Sequence, residues 1–146
     1  MSNAYYFNRL GLVLVLLMLM ACAGGGSSGG GSGDDTAPNI QVSATSVNFG
    51  GVVKGNSVDR TITITNTGDA DLEIGDIVVS AVPFSISGDT CSNTTLDPDA
   101  SCTVGVRFTP TAQGAFDATA TVESNDPGSA TKHISLSGTG YGLNTW

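Results

Sequence analysis

The sequence predicts an all-β domain, a sandwich of about seven antiparallel strands, from three features. Short segments in which apolar and polar residues alternate recur from residue 40 onward, as in strands with one buried face. Turn-forming residues separate these segments, and no amphipathic helical pattern interrupts them. Strands repeated in this way over about 100 residues favour two packed sheets.

The first predicted strands follow one another closely. Residues 40–42 and 47–49 form the first two. In residues 58–66 apolar and polar side chains alternate, and Ile62 and Ile64 lie on the buried side. Leucine and isoleucine continue the buried face over residues 72–74. These segments predict the first half of the sandwich.

A break in the alternation follows at Gly75 and Asp76, before residues 77–79 resume it. An extra residue in one strand shifts its phase, so the break indicates a β-bulge or a switch between sheets. The later strands cover residues 84–86, 102–108, 116–123 and 134–136.

Two cysteines, Cys91 and Cys102, bracket a ten-residue acidic turn. A disulfide between them would close a small loop and add roughly 2–3 kcal/mol to stability. Reactive or metal-binding thiols are the alternative, but the spacing does not fit a zinc site. His133, the only histidine, falls on an outward position. The sequence therefore favours one structural disulfide within the domain.

The charge balance is strongly acidic, with 13 acidic and 5 basic residues. Nucleic-acid binding requires basic residues that displace counterions, so this class of partner is excluded. The sequence has one histidine, on a predicted strand, no GxSxG motif and no pair of carboxylates at inward positions, so it offers no nucleophile and no acid–base set. We expect no enzyme activity, no catalytic residues and no cofactor.

Residues 1–21 have the features of a secretory signal peptide. Arg9 precedes an apolar run over residues 10–20, which is shorter than the roughly 20 residues that cross a bilayer. The tetrapeptide at residues 19–22, LMAC, resembles the bacterial lipoprotein signal, in which the cysteine becomes the lipid-bearing N-terminus. Ala23, rather than aspartate, follows it, which in that resemblance favours the outer membrane.

Cys22 is thus the predicted lipidation site, and the cysteine count agrees with it. Three cysteines in an exported protein leave one unpaired after a single disulfide. An ordinary signal peptide and an uncleaved anchor are the alternatives. The glycine- and serine-rich segment that follows, together with Cys22, forms a flexible tether over residues 22–37.

The body of the chain, residues 38–140, also resembles a known family. An NTG turn at residues 66–68, the cysteine pair, FTP at residues 108–110, SNDP at residues 124–127 and LSGTG at residues 136–140 carry the resemblance. Together they resemble the bacterial choice-of-anchor D module, which is similar to ASH (abnormal-spindle/Hydin) domains. The resemblance implies an immunoglobulin-like β-sandwich that serves protein contacts in the cell envelope and has no catalytic residues.

Alternating strand directions would collect several aspartates at one end of the sandwich, which we call the acidic end. The first strand, and with it the tether, would begin at this end. Carboxylates and turn carbonyls can bind calcium, although aspartate is also common in turns for its own reasons. The calcium candidates are Asp69, Asp71, Asp97, Asp99 and Asp126, with Asp89 nearby.

The C-terminal tail, residues 141–146, would leave from the opposite end. It contains Tyr141 and the only tryptophan, Trp146, and aromatic residues are enriched at binding sites. A tail that packs on its own domain is the alternative.

The sequence therefore favours an exported, lipid-anchored interaction module, periplasmic or surface-exposed, that contacts an envelope or extracellular protein. A structural subunit joined through edge strands or the tail, including self-association, is the alternative. Carbohydrate or calcium binding ranks below both.

Overall fold

The computed structural model describes residues 36–142, and within this range the chain is all β. The predicted signal peptide, Cys22, the tether up to residue 35 and Trp146 lie outside the described residues. None of the described residues forms a helix of the length and apolarity that crossing a membrane requires. The strands are β1 Ile40–Val42, β2 Ser46–Val53, β3 Val58–Asn66, β4 Leu72–Val79, β5 Phe84–Asp89, β6 Thr94–Leu96, β7 Ser101–Phe108, β8 Gly114–Ser124 and β9 Thr131–Tyr141.

The strands form two sheets that pack face to face, which confirms the predicted sandwich. The first sheet has the order β1-β3-β7-β5, and the second has the order β2-β9-β8-β4-β6. The chain passes from one sheet to the other several times, so strands that are adjacent in sequence are often in different sheets. The alternating residues of both sheets meet between them, as the sequence pattern requires.

Three details of the strands differ from or sharpen the sequence prediction. The phase break before residue 77 is a β-bulge in β4, between Ile74 and Ile77. β6 lies within the segment that was predicted to be only a turn, and it pairs with β4. β2 runs parallel to β9, so the sandwich is not purely antiparallel. The period of two that identifies a strand says nothing about the direction of its neighbour.

The core contains a cluster of four phenylalanines at the end opposite the acidic end. Phe108 of β7 stacks on Phe84 of β5 with ring centroids 4.7 Å apart. The rings of Phe49 and Phe116, from the second sheet, lie 5.8 and 5.9 Å from Phe108. Phe108 therefore joins both sheets and is itself fully buried.

The predicted disulfide between Cys91 and Cys102 is present, with Cα atoms 5.3 Å apart. Cys102 lies on β7, and Cys91 follows β5 on the way to β6. Both residues are buried. The bond attaches the segment that crosses from β5 to β6 to the central strand β7. A disulfide that closes a loop of this size adds about 3 kcal/mol to stability.

Gly138 allows the close approach of β9 to the aromatic cluster, so we expect Gly138→Ala to destabilise the fold. A Cβ at this position would lie 2.6 Å from Cε1 of Phe108. Overpacking a buried ring costs about 1–3 kcal/mol, measurable by urea denaturation. Gly88→Ala is the matched control, because a Cβ there meets nothing within 4 Å. Equal stability of the two variants would contradict the prediction.

Candidate functional site

The acidic end of the sandwich is assembled as the strand directions predicted, and the first strand begins there. The N–H of Asp69 donates to the carbonyl of Ala37 at 3.1 Å, and the N–H of Asp99 donates to that of Asn66 at 3.0 Å. The side-chain NH₂ of Asn125 donates to the carbonyl of Asp71 at 3.3 Å. These bonds join the turns between different strands to one another and to Ala37, at one end of the body.

Asp126 is buried at this end, and its carboxylate binds backbone N–H groups. One oxygen accepts the N–H of Ile40 at 2.9 Å, and the other accepts those of Gly128 at 2.7 Å and Ser129 at 3.2 Å. Burial raises the pKa of Asp126, but these three donors, with the charge of Lys132, outweigh burial and lower it. Asp126 therefore attaches β1 to the loop between β8 and β9.

Asn66 is the second buried polar residue at the acidic end, and it is fully buried. Its side-chain oxygen accepts the N–H of Gly68 at 3.0 Å and that of Asn39 at 3.3 Å. Its NH₂ group donates to the carbonyls of Ala70 at 2.8 Å and Leu96 at 3.0 Å. The NTG motif therefore supplies a hydrogen-bonding centre, a role that the sequence, which indicated only a turn, did not reveal.

The five calcium candidates do not gather around a common point. Within residues 36–142 no group of three or more His, Cys, Asp or Glu side chains is placed to hold a metal ion. Asp69, Asp71, Asp97 and Asp99 have exposed side chains, while their backbones make the turn hydrogen bonds. Asp126 is engaged with N–H groups. The aspartates of the acidic end thus build turns.

Asp89, near the disulfide, also serves its own turn. Its carboxylate accepts the N–H groups of Cys91 at 2.7 Å and Ser92 at 3.0 Å, and also the hydroxyl of Ser92. Partial burial raises the pKa of Asp89, and the bonds from Ser92 and Cys91 outweigh it and lower the pKa. This carboxylate stabilises the chain as it enters the disulfide.

The remaining charged contact is an ion pair on the outer face of the first sheet. Arg107 donates through Nε and Nη2 to the two oxygens of Asp59, each at 2.9 Å. The hydrogen bond from Arg107 is the main cause that lowers the pKa of Asp59. His133 is exposed, and its ring nitrogen Nδ1 lies 3.3 Å from the hydroxyl of Thr121. These contacts provide no nucleophile activated by a base.

Tyr141, a predicted partner-binding residue, is 55% exposed at the end of β9. Its ring lies directly against Gly51 of β2, and a side chain at that position would displace the ring. Its carbonyl accepts the N–H of Lys54 at 2.7 Å. Beside it lies an open cavity of about 660 Å³, lined by Lys54, Gly55, Ala112, Gln113 and Gly142. Tyr141 packs partly on its own domain, and partner binding by Tyr141 and Trp146 stays a prediction.

The open edges of the sheets offer the other route to a partner. β1 and β5 are the edge strands of the first sheet, and β2 and β6 are those of the second. Two exposed valines, Val78 at 57% and Val82 at 89%, lie at the end of β4 and just after it. Backbone groups at a sheet edge can pair with an added strand.

Comparison with known protein families identifies the body of the chain. Residues 38–139 match the family described as HYDIN/CFA65/VesB-like, Ig-like domain. A comparison with curated protein sequences gives no match. The family match covers all nine strands except the last two residues of β9. Ig-like domains of this family are typically non-catalytic.

Solved structures show the same fold at low sequence identity. A protein of unknown function from Porphyromonas gingivalis W83 matches with a TM-score of 0.61 at 17% identity, over 70% of this chain and 46% of its own. The ASH/PapD-like domain of human CEP192 matches with a TM-score of 0.60 at 14% identity, over 85% of this chain and 100% of that domain. The secreted serine protease VesC from Vibrio cholerae matches with a TM-score of 0.55 at 20% identity, over 73% of this chain and 23% of the protease. The chain thus spans less than half the length of the first and third of these proteins.

We expect Asp126→Asn to lower stability and to make it less dependent on pH. The native pKa of Asp126 is lowered, so its contribution is present above the unfolded pKa of about 3.9 and is lost as the pH falls through the native value. Replacing the carboxylate disrupts bonds to buried N–H groups, a loss of about 1–3 kcal/mol near neutral pH. Urea denaturation at several pH values measures both effects.

Asp117→Asn is the control for this prediction, because Asp117 is exposed on β8. Its stability should stay within about 0.5 kcal/mol of the unaltered protein. An Asp126→Asn variant that loses as much stability on acidification as the unaltered protein would show that Asp126 has no such role.

Proposed function

Because the chain belongs to the HYDIN/CFA65/VesB-like Ig-like domain family, we propose that it is a lipid-anchored, non-catalytic module that binds another protein of the cell envelope. The observation that carries the proposal is the Ig-like sandwich itself, which has open strand edges and two exposed valines beside one of them. Within residues 36–142 the polar side chains of the turns serve the fold, and no catalytic set is present. Binding of a protein is the function that such a body supports best.

The N-terminal sequence supports the anchored form of this module. The apolar run over residues 10–20 ends in LMAC, and a glycine- and serine-rich segment separates Cys22 from the body. A lipid on Cys22 would hold the body near a membrane, and more than one acyl chain is needed for firm attachment. We place the protein in the outer membrane, with its body in the periplasm or at the cell surface.

A structural subunit of an envelope assembly is the second candidate. It is favoured by the same edges, since strands of neighbouring copies or partners can pair through them. Light scattering distinguishes the two candidates, because a subunit that assembles with itself shows a mass that rises with protein concentration.

Cys22→Ser should abolish membrane attachment, since serine has no thiol to carry the lipid. We expect most of the protein to move from the membrane fraction to the aqueous phase of a detergent partition, and labelled fatty acid to be lost. Ser27→Ala, within the same glycine- and serine-rich segment, should leave both unchanged. Retention of the label by the Cys22→Ser variant would contradict lipidation at this residue.

Protein binding is tested by photo-crosslinking in living cells, with a benzophenone amino acid placed at exposed positions over the body. We expect covalent adducts with one other envelope protein, formed from neighbouring positions and not from all. Unfolding the body by the paired change Cys91→Ala and Cys102→Ala at elevated temperature should abolish these adducts. Adducts absent from every position, or formed equally from all, would contradict the proposed function.

A further inference from the structure

We propose that residues 77–83, the end of β4 and the turn after it, are the edge at which a partner binds. An extended segment of another protein adds to β4 there, with alternating apolar side chains and Lys or Arg at one end. This inference rests on the proposed function as a protein-binding module, and it names the surface and the chemistry of the partner.

The open part of β3 is protected against such pairing by charge. β1 pairs only with the last three residues of β3, so the first residues of β3 are uncovered on the side away from β7. Arg60 lies there on the same side of the strand as the buried Ile62, and Asp59 is paired with Arg107. Charged side chains, especially those that point inward, keep a strand edge from pairing.

The four edge strands of the two sheets, β1, β2, β5 and β6, are short or bulged. β2 has an irregular register between Asn48 and Gly51, and β5 has one between Ile86 and Gly88. β1 and β6 have three residues each, and β6 runs directly into Asp97. Bulges twist an edge out of register, and short edges offer few backbone groups, so none of these strands presents a regular pairing surface.

The end of β4 presents such a surface. The N–H of Ser80 donates to the carbonyl of Thr119 on β8 at 2.9 Å, and Val78, two residues earlier, is paired with Thr121 on the same strand. Backbone groups alternate in direction along an antiparallel strand. The N–H and carbonyl of the intervening Val79 therefore point away from β8, toward the edge.

β6 does not reach this part of β4. Its register with β4 covers residues 72–74 only. The residues just before β6 extend the contact as far as Ile77. The N–H of Asn93 donates to the carbonyl of Gly75 at 3.2 Å, and the N–H of Ile77 donates to Oγ of Ser92 at 3.2 Å. Beyond these bonds, no strand within residues 36–142 pairs with β4 on the edge side of Val79.

The side chains around this edge are apolar and exposed. Val78, Val82 and Tyr141 are the large hydrophobic residues exposed within residues 36–142, and two of the three lie in residues 77–83. That segment, IVVSAVP, contains no charged residue. A strand added beside β4 would bring its alternate side chains against Val78, which is the usual unit of stabilisation in a sheet. The edge thus offers free backbone groups, apolar contact and no protecting charge.

Acidic residues at one end of this edge select the charge of the occupant. Asp76 directly precedes Ile77; it is exposed, and one of its carboxylate oxygens accepts the side-chain NH₂ of Asn93 at 2.9 Å. Glu73 and Glu123, both exposed, border an open depression of about 320 Å³ around Gly75. None of the four basic residues among residues 36–142 is on β4 or β6; they are Lys54, Arg60, Arg107 and Lys132. A partner strand with Lys or Arg at the end nearest Asp76 would complement this distribution.

The same charges argue against a second copy of this chain as the occupant. The formal net charge is −8, so two copies of the chain would repel each other as they approach. Within the body, residues 77–83 carry no basic group that could pair with Asp76 of a neighbour. Charge complementarity therefore favours a different protein with a basic, extended segment.

The test is a selection of random twelve-residue peptides displayed on phage, with the full-length protein as the target. We expect enriched peptides with alternating apolar residues and Lys or Arg at one end. Val78→Lys and Val82→Lys should each lower the affinity of the protein for a synthetic copy of an enriched peptide by about tenfold or more, because they add a charge to the edge. Binding should also protect the amide of Val79 in hydrogen exchange.

Two control variants make the result specific. Ser135→Lys adds the same charge to an exposed position of the same sheet and should leave affinity unchanged. The paired change Asp76→Asn and Glu123→Gln should weaken a lysine-bearing peptide several-fold and reduce the salt dependence of binding, whereas Asp117→Asn should not. Circular dichroism of each variant confirms that the body is folded.

Several outcomes would overturn the inference. They are the absence of enriched peptides, enrichment of acidic peptides, and equal binding by Val78→Lys and Ser135→Lys. A dimer in light scattering that Val82→Lys dissociates would assign the edge to a second copy instead. Peptide or partner binding that persists in both lysine variants would show that residues 77–83 are not the binding surface, although the proposed function as a protein-binding module would still hold. The proposed function fails separately, when crosslinking in cells finds no protein partner.

Discussion

The buried amide of Asn66 is the interaction on which the acidic end of the sandwich depends. Its side chain makes four hydrogen bonds, and its backbone makes two more, to Ala100 and Asp99. A buried amide left without partners costs several kcal/mol, so all of its bonding capacity has to be used. The consequence is that residue 39, the turn after β3, the end of β6 and the turn before β7 are all bonded to this one residue, the last of them through its backbone.

This arrangement explains why the acidic end is structural although it is rich in carboxylates. Asp126 fixes the start of β1 through Ile40, as Asn66 fixes the residue before it. A calcium site needs several oxygens directed at one point, and here the turn geometry is already determined by bonds to N–H groups. At the other end, the phenylalanine cluster around Phe108 fills the core. The polar side chains of Asn66 and Asp126 are therefore already engaged within the fold, and a partner would bind elsewhere on the surface.

The features that depend on alternation could be predicted from the sequence. The period of two placed Ile62, Ile64, Val104 and Val106 in the core, and the loss of phase before Ile77 marked the bulge. The cysteine count and spacing predicted the disulfide. These signals are local, because each strand carries its own pattern of buried and exposed residues.

The features that depend on tertiary contacts could not be predicted in this way. β6 is too short to show a period, and the parallel pairing of β2 with β9 joins the two ends of the body across more than 80 positions. Asn66 and Asp126 are typical turn residues in the sequence, and only their partners 27 and 86 positions away show that they are buried. The edge of β4 is open at Val79 because β6 pairs only with residues 72–74 of β4, and the sequence of β4 gives no sign of this.

The parallel pairing of β2 with β9 determines how the body responds to mechanical force. β2 and β9 both run from the acidic end to the opposite end, and they are bonded side by side over six registered pairs. Tension applied between residue 36 and residue 142 pulls these strands in opposite directions along their length. The bonds between them then carry the load together, in shear, instead of opening one after another. A body joined in this way transmits tension from one end to the other while keeping its strands in register.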